Sequence, residues 1–257
     1  MRILAFDTAT EATTVALRDP EAGIELELRH DPRAGERPGH ATRLLPMIAD
    51  VLEDAGGGWE AVDRIAVGVG PGTFTGLRIG IATARALTRA RECELVGISS
   101  LHALASAALA SAALASAALG ARVAEAAEGG AEAPLVLAVI DARRGEAFAA
   151  AWRGRELELE PSALRPDALA IEVARLTGAS GAAPLAIGDG ALRFREQLER
   201  VGAVLPPSDS PLHWISAMNH CRLAAGLPAT VPAEVEPAYL RAPDAEIAYR
   251  ERHQGPK

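Results

Sequence analysis

A strand-and-turn phrase occurs twice in this chain, and this repetition limits the folds that are open to it. The β-prone run 2–6 ends at Asp7, turns through polar residues and is followed by a second β-prone run. The apolar run 135–140 ends at Asp141 and returns through residues 147–152 in the same order. Each half then adds a further strand, a glycine-containing turn and a helix. The sequence therefore predicts a duplicated α/β unit.

The stretch 67–85 joins a strand to a helix through the turn Gly70-Pro71-Gly72. Backbone N–H groups converge where a strand turns into a helix, so this turn is suited to holding an anion. Dinucleotide and P-loop signatures are both missing, because Thr73 stands where the third glycine belongs and no Gly-Lys-Ser/Thr occurs. The alternative is a structural turn in which Thr73 or Thr75 caps the helix. Phe74, an aromatic residue among small ones, favours an anchor for a partner.

Small residues recur on the helix that follows this turn. Gly76, Gly80 and Ala84 are four residues apart, which predicts a shallow groove along one face where another helix can approach closely. We expect this groove to be the main contact surface of the protein.

Charge and composition exclude several functions. The formal net charge of −8 argues against a cationic field able to hold a nucleic-acid backbone, so a role on RNA needs a more basic partner. The only lysine is Lys257, which leaves none for a P-loop, a kinase phosphate contact or a Schiff base. Cys93 and Cys221 match no metal spacing and no disulfide framework. The early carboxylate at Asp7 and the lack of a long apolar run predict a cytoplasmic protein without a membrane span.

Asp7 lies beside the hydroxyl groups of Thr8 and Thr10, a grouping with the chemistry to orient a hydrated metal or a phosphate. The alternative is that Asp7 accepts hydrogen bonds from its own turn. The turn has no glycine where a phosphate would approach, and Glu11 would repel an anion. We therefore expect nucleotide binding through this turn alone to be weak or absent.

The histidines do not form a metal-ligand pattern. His40 begins an amphipathic helix, and a pair of ligands on that face would need a second one at position 44, where Leu44 stands. His213 and His220 are seven residues apart on one predicted helix, which is too far for a single metal, so we expect capping or core-rim roles for both. The residues provide no candidate nucleophile and no metal site.

Six phrases follow one another along nearly the whole chain: 3–10, 40–48, 70–80, 97–101, 140–146 and 237–241. Together they resemble the bacterial TsaB (YeaZ) family of tRNA threonylcarbamoyladenosine (t6A) synthesis, and the glycine-rich phrase is the most specific. The resemblance implies an α/β protein with an actin-like, or Hsp70-like, ATPase fold. That fold consists of two duplicated ribonuclease-H-like lobes, and the family has kept the shape while losing the working site.

The resemblance further implies a non-catalytic scaffold subunit required for threonylcarbamoyl transfer to adenosine 37 of tRNA. In that family the catalytic paralogue TsaD is recognised by a His-x-x-x-His metal pair, whereas here His40 is followed by Leu44. The implied partners are a TsaD-like paralogue, a TsaE-like ATPase, a second copy of the chain in isolation, and tRNA only through the complex. No membrane is implied, and no cofactor other than a nucleotide at the partner interface.

We expect the partner-binding face on the helix that starts near Thr75, as an apolar strip with cationic ends. Its predicted residues are Thr73, Phe74, Leu77, Arg78, Ile81 and Arg85. A vestigial nucleotide site would comprise Asp7, Thr8, Gly70 and Gly72. Two other classes remain open: an ATP-dependent phosphotransferase or ATPase that uses Asp7 and the glycine loop, and a metallopeptidase-like protein.

The predicted domains divide the chain into four parts. Residues 1–103 form an N-terminal lobe with the partner-binding face, and residues 104–133 form an Ala/Ser-rich insertion or linker. Residues 134–226 form a C-terminal lobe, and residues 227–257 form an extended tail whose last part is disordered. The leucines of the Ala/Ser repeat scatter around a helix, which disfavours a coiled coil.

Overall fold

The computed structural model describes residues 1–33, 35–123, 134–180 and 183–242. Its first lobe contains a five-stranded sheet of order β3-β2-β1-β4-β5, in which β1 is antiparallel to β2 and parallel to β4. The elements of this lobe are β1 (Ile3–Asp7), β2 (Thr13–Asp19), β3 (Ile24–His30), α1 (His40–Asp54), β4 (Arg64–Gly70), α2 (Phe74–Arg91) and β5 (Glu94–Ser99).

The second lobe repeats this arrangement with a sheet of order β8-β7-β6-β9. The helix α3 (Ser100–Val123) connects the two lobes. The elements of the second lobe are β6 (Leu135–Arg143), β7 (Glu146–Arg153), β8 (Glu156–Leu164), α4 (Pro166–Ser180), β9 (Leu185–Ile187), α5 (Asp189–Arg193) and α6 (Arg195–Arg200). The central strand β6 is antiparallel to β7 and parallel to β9, as β1 is to β2 and β4. The predicted duplication of an α/β unit is confirmed.

The chain returns to the first lobe at its C-terminal end, which corrects the predicted boundary of the second lobe at residue 226. The helix α7 (Ala217–Ala224) packs on the first sheet, where Met218 and Cys221 share a buried cluster with Ile3 and Val96. The prediction failed because α7 covers an apolar face of the first sheet, together with Ala103 of α3, although it follows the second lobe in the chain.

The single helix predicted to carry both His213 and His220 is also wrong. A short 3₁₀ turn, Pro211–His213, is separated from α7 by an extended stretch. Ser210 does cap its turn, since its Oγ accepts from the N–H of Leu212 at 3.3 Å. The carboxylate of Glu27 on β3 caps α7 instead, accepting from the N–H of Ala217 at 2.6 Å.

The Ala/Ser-rich segment begins inside α3 and not in a linker. Leu104, Ala105 and Ala108 are buried between the lobes together with Leu101 and Ile140. The start of the segment predicted as an insertion is therefore part of the core, because its small residues allow α3 to pack closely on β6. Residues 124–133, the end of the predicted insertion or linker, lie outside the described residues.

Residues 230–239, here called the strap, run along the first lobe. The N–H of Thr230 donates to the carbonyl of Leu95 at 2.7 Å, and that of Ala238 donates to Val69 at 2.8 Å. Between them, Val235 is 2% exposed and belongs to the core of the first lobe. The disorder predicted for the end of the tail concerns residues 243–257, which lie outside the described part of the chain.

The small residues of α2 do not form an open groove. A Cβ on Gly76 would overlap the carbonyl oxygen of Thr8, and one on Gly80 would overlap the Thr8 hydroxyl. Ala84 is fully buried in the first-lobe core. The expected contact groove for a partner helix is therefore wrong: these small residues let α2 lie directly on the turn that follows β1.

None of the helices in the described ranges is long and apolar enough to cross a bilayer.

Candidate functional site

Asp7 lies at the carboxyl end of β1 and is only 2% exposed. Its Oδ1 accepts from the N–H of Ala9 at 2.6 Å, and its Oδ2 lies 2.6 Å from the hydroxyl of Ser100 and 2.9 Å from Nε2 of His220. Burial by itself would raise the pKa of the Asp7 carboxyl, but the hydrogen bond and charge of His220, with the other two donors, hold it below its ordinary value. The alternative in which Asp7 accepts a hydrogen bond from its own turn is confirmed, and two distant residues add to it.

His220 supplies the positive charge that faces Asp7. Its ring is fully buried, and its Nδ1 lies 3.0 Å from the carbonyl oxygen of Ser216. The ring therefore links the Asp7 carboxylate to the backbone of α7's first turn. The expected core-rim role for His220 is wrong: it is a core residue that forms a buried ion pair with Asp7.

The other predicted nucleotide-site residues are packed against the same turn. The hydroxyl of Thr8 donates to the carbonyl of Gly76 at 2.8 Å, and the N–H of Thr73 donates to the carbonyl of Ala9 at 2.7 Å. A Cβ on Gly72 would overlap Ala9. The structure thus brings Asp7, Thr8, Gly70 and Gly72 to one place, with Asp7 and Thr8 buried behind the glycine loop.

An ion pair crosses the space between the lobes. An Oε of Glu11 lies 2.6 Å from the guanidinium of Arg143, which also approaches Asp141, and Arg193 binds Asp141 at 2.7 Å. A cavity of about 320 Å³ lies on the side of Arg143, and one of about 190 Å³ lies on the side of Glu11. Burial raises the pKa of Asp189, which lines the smaller cavity.

The remaining histidines of interest are buried structural groups. His40 begins α1 as predicted, is 3% exposed, and shares a 2.8 Å hydrogen bond with the hydroxyl of Thr13. Burial lowers the pKa of the His40 imidazole. His213 is 1% exposed and lies near the carbonyls of Gly188 and Pro206, so it is not the core-rim residue that we expected and does not share a helix with His220. In the described ranges, no group of three or more His, Cys, Asp or Glu residues is placed to hold a metal ion.

The predicted partner-binding face on α2 is only partly on the surface. Arg78 is exposed, and Thr73, Phe74 and Arg85 are half-buried. The predicted apolar strip is not exposed, because Leu77 (0% exposed) belongs to the core between the lobes and Ile81 (3%) to that of the first lobe. A spacing of four identifies one side of a helix, but here that side lies against the sheet.

The strap adds an aromatic residue to this face that the sequence did not single out for it. The rings of Tyr239 and Phe74 stack with centroids 5.1 Å apart, and the guanidinium of Arg78 lies 3.7 Å from the Phe74 centroid. The Nε of Arg78 donates to the Tyr239 hydroxyl at 3.1 Å. Arg85 fixes the strap through two backbone carbonyls, at 2.8 and 2.9 Å. The one signal for Tyr239 was its place in the phrase 237–241.

Comparisons with known proteins agree with this architecture. A family model described as TsaD, tRNA N6-adenosine threonylcarbamoyltransferase, matches residues 32–194. The tRNA threonylcarbamoyladenosine biosynthesis protein TsaB of Escherichia coli K12 is 32% identical over 252 residues, which cover 94% of this chain and 95% of that protein. The protein of the same name from Haemophilus influenzae is 39% identical over 148 residues, covering 58% of this chain and 52% of that protein. The solved structure of YeaZ from Pseudomonas aeruginosa superposes with a TM-score of 0.67 at 31% identity, covering 93% of this chain and 99% of that one.

Two sheets of matching strand order, joined by α3 and closed by a returning helix, define the class of this protein. It is a two-lobed α/β protein built from a duplicated α/β unit. Within this class the comparisons are specific, and the chain belongs to the TsaB (YeaZ) family.

Proposed function

We propose that this chain takes part in t6A synthesis as a non-catalytic subunit that binds a TsaD-like paralogue. The relatives named TsaB support the pathway, and the TsaD family model supports a common ancestry with the transferase. In this proposal the paralogue transfers the threonylcarbamoyl group, a TsaE-like ATPase joins the complex in the cytoplasm, and tRNA is bound only through the assembly.

One observation carries the non-catalytic part of the proposal. The strand-end carboxylate of Asp7 is the group in the first lobe best suited to a hydrated metal that would accompany a nucleotide. Its oxygens are already engaged by His220, Ser100 and the N–H of Ala9. A metal would have to displace His220 and Ser100, which the chain itself supplies, from the Asp7 carboxylate.

We place the contact with the paralogue on the exposed side of α2 and on the strap. Thr73, Phe74, Arg78 and Arg85 contribute to this surface, while Leu77 and Ile81 support it from beneath. In isolation, a second copy of the chain uses the same surface and forms a homodimer. A nucleotide at the interface with the paralogue remains part of the proposal, since the turn at Gly70 and Gly72 lies at the start of α2.

Reconstitution tests the function directly. Purified TsaD-like and TsaE-like proteins, a threonylcarbamoyl donor and unmodified tRNA are incubated with and without the chain, and t6A is quantified by mass spectrometry of the digested tRNA. We expect modification only when the chain and the paralogue are both present. Calorimetry of the isolated chain with Mg-ATP is expected to show no tight binding. Turnover of any of these substrates by the chain alone would contradict the proposal.

A further inference from the structure

A groove of about 450 Å³ lies between α2 and the strap. It is lined on α2 by Arg78, Ile81, Ala82 and Arg85, and on the strap by Glu236, Pro237 and Tyr239. Arg85 is half-buried in this groove, where its Nη2 donates to the carbonyls of Ala233 and Val235 and its Nε is buried, whereas Arg78 is exposed. The cation available to a ligand is therefore Arg78.

Arg78 is held in place by two aromatic side chains. Its guanidinium lies over the Phe74 ring, its Nε donates to the hydroxyl of Tyr239, and the two rings stack on each other. Among the described residues its two Nη nitrogens have no hydrogen-bond or ion-pair partner. A guanidinium whose Nε is already bound presents its remaining N–H groups as a flat fork, the geometry that matches a carboxylate.

The strap that positions Tyr239 is fixed to the first lobe. Val235 is buried in the core, Ala238 donates to Val69, and Arg85 binds two strap carbonyls. These contacts fix the backbone just before Tyr239, and the Tyr239 ring stacks on Phe74 in the chain without a partner. Fixing a side chain in its bound geometry reduces the entropy lost on binding.

We propose that Arg78, positioned by Phe74 and Tyr239, is a preformed receptor for one carboxylate side chain of the TsaD-like paralogue. This inference rests on the proposed function and identifies the chemistry of the contact. Charge supports the choice of occupant: a free guanidinium fork on the surface of a chain with net charge −8 selects an acidic group from the partner. Glu236 also lines the groove, and its negative charge repels an incoming carboxylate, so Glu236 lowers the affinity for the partner.

The test is the affinity of the full-length chain for the paralogue, measured by biolayer interferometry. Arg78→Ala is expected to weaken binding by about 30-fold or more, as for a central interface arginine. Arg78→Lys should recover little of this, because an ammonium cannot form the two parallel hydrogen bonds. Tyr239→Phe removes only the hydroxyl that holds Nε and should weaken binding by about 3- to 10-fold, whereas Glu236→Gln should strengthen it.

Trp214 provides a matched control, because it is 37% exposed and stacks with Arg29 at the opposite edge of the first sheet. Trp214→Ala is expected to leave affinity within about twofold, as for an exposed residue outside the contact. The inference is overturned if Arg78→Ala binds within threefold of the unaltered chain, or if Arg78→Lys binds as well as the unaltered chain. It is also overturned if Arg78→Ala abolishes only self-association, since the occupant would then be a second copy.

The outcome separates this inference from the function on which it rests. If t6A formation depends on the chain and the unaltered chain binds the paralogue, but Arg78 is dispensable, the scaffold function stands and the carboxylate receptor does not. If the unaltered chain does not bind the paralogue, the proposed function itself fails.

Discussion

Replacing His220 by alanine tests the central electrostatic feature of the fold. The change removes the imidazole ring whose Nε2 lies 2.9 Å from the Asp7 carboxylate, in a site where Asp7 is 2% exposed. An ion pair that loses one member leaves the other charge buried without a partner, at a cost of about 3–5 kcal/mol in the free energy of unfolding. We expect a loss of that size at pH 7, measured by urea unfolding followed by circular dichroism.

The pH dependence gives this prediction a sign. In the unaltered chain the pKa of Asp7 is lowered by folding, so its contribution to stability is present above the unfolded pKa of about 3.9 and is lost as the pH falls through that range. In His220→Ala the largest opposing interaction is gone and burial raises the pKa of Asp7. The folded variant then binds the proton more tightly than the unfolded chain does. Its stability should therefore fall as the pH rises from about 4 to 7.

His213→Ala is the control, because His213 is equally buried but lies near two backbone carbonyls and forms no ion pair with a carboxylate among the described residues. It should cost about 1–3 kcal/mol, from lost hydrogen bonds and packing, with no comparable reversal in pH dependence. Equal losses for the two variants, with parallel pH profiles between 4 and 7, would refute the ion-pair reasoning.

Three further substitutions address the core, the strap and the cleft. Ile81→Glu should destabilise the chain by more than about 4 kcal/mol in urea unfolding, since it buries a carboxylate. Ala82→Glu, on the exposed side of α2, should change stability by less than about 0.5 kcal/mol. Similar values for the two variants would show that Ile81 is on the surface. Val235→Ala should lower the free energy of unfolding by about 2 kcal/mol and increase hydrogen exchange at the N–H of Ala238. If the strap were not attached to the core, the substitution would change neither quantity. Glu11→Gln breaks an ion pair between half-exposed groups, so it should cost less than about 1 kcal/mol while increasing hydrogen exchange at residues 141–143, the end of β6. Unchanged exchange would argue against a tie between the lobes.

Local patterns in the sequence were sufficient for the two hairpins, for α1 and for the strand and helix around the glycine turn. Each of these depends on residues a few positions apart, as in α1, which places Leu44, Ile48 and Val51 on one buried side. The strand β3 was not predicted, although Ile24, Leu26 and Leu28 alternate with charged residues as an edge strand requires. That signal was available in the sequence.

The remaining differences come from contacts between distant parts of the chain. Spacing alone identified Leu77 and Ile81 as one side of α2, but the sheet that covers this side is formed by residues elsewhere in the sequence. In the same way, the charge state of Asp7 depends on His220, more than 200 residues away. An aspartate at a strand end has the same local sequence whether a metal or an imidazolium compensates it.

The segment from α7 to Tyr239 links the two halves of the proposed function. Its first part supplies His220, which neutralises Asp7, and its last part supplies the strap and the ring that positions Arg78. Both parts pack on the first lobe, although they follow the second lobe in the chain. The same stretch of chain therefore engages the Asp7 carboxylate and completes the α2 surface on which we place the partner, so the returning segment contributes to both the buried and the exposed parts of the proposed function.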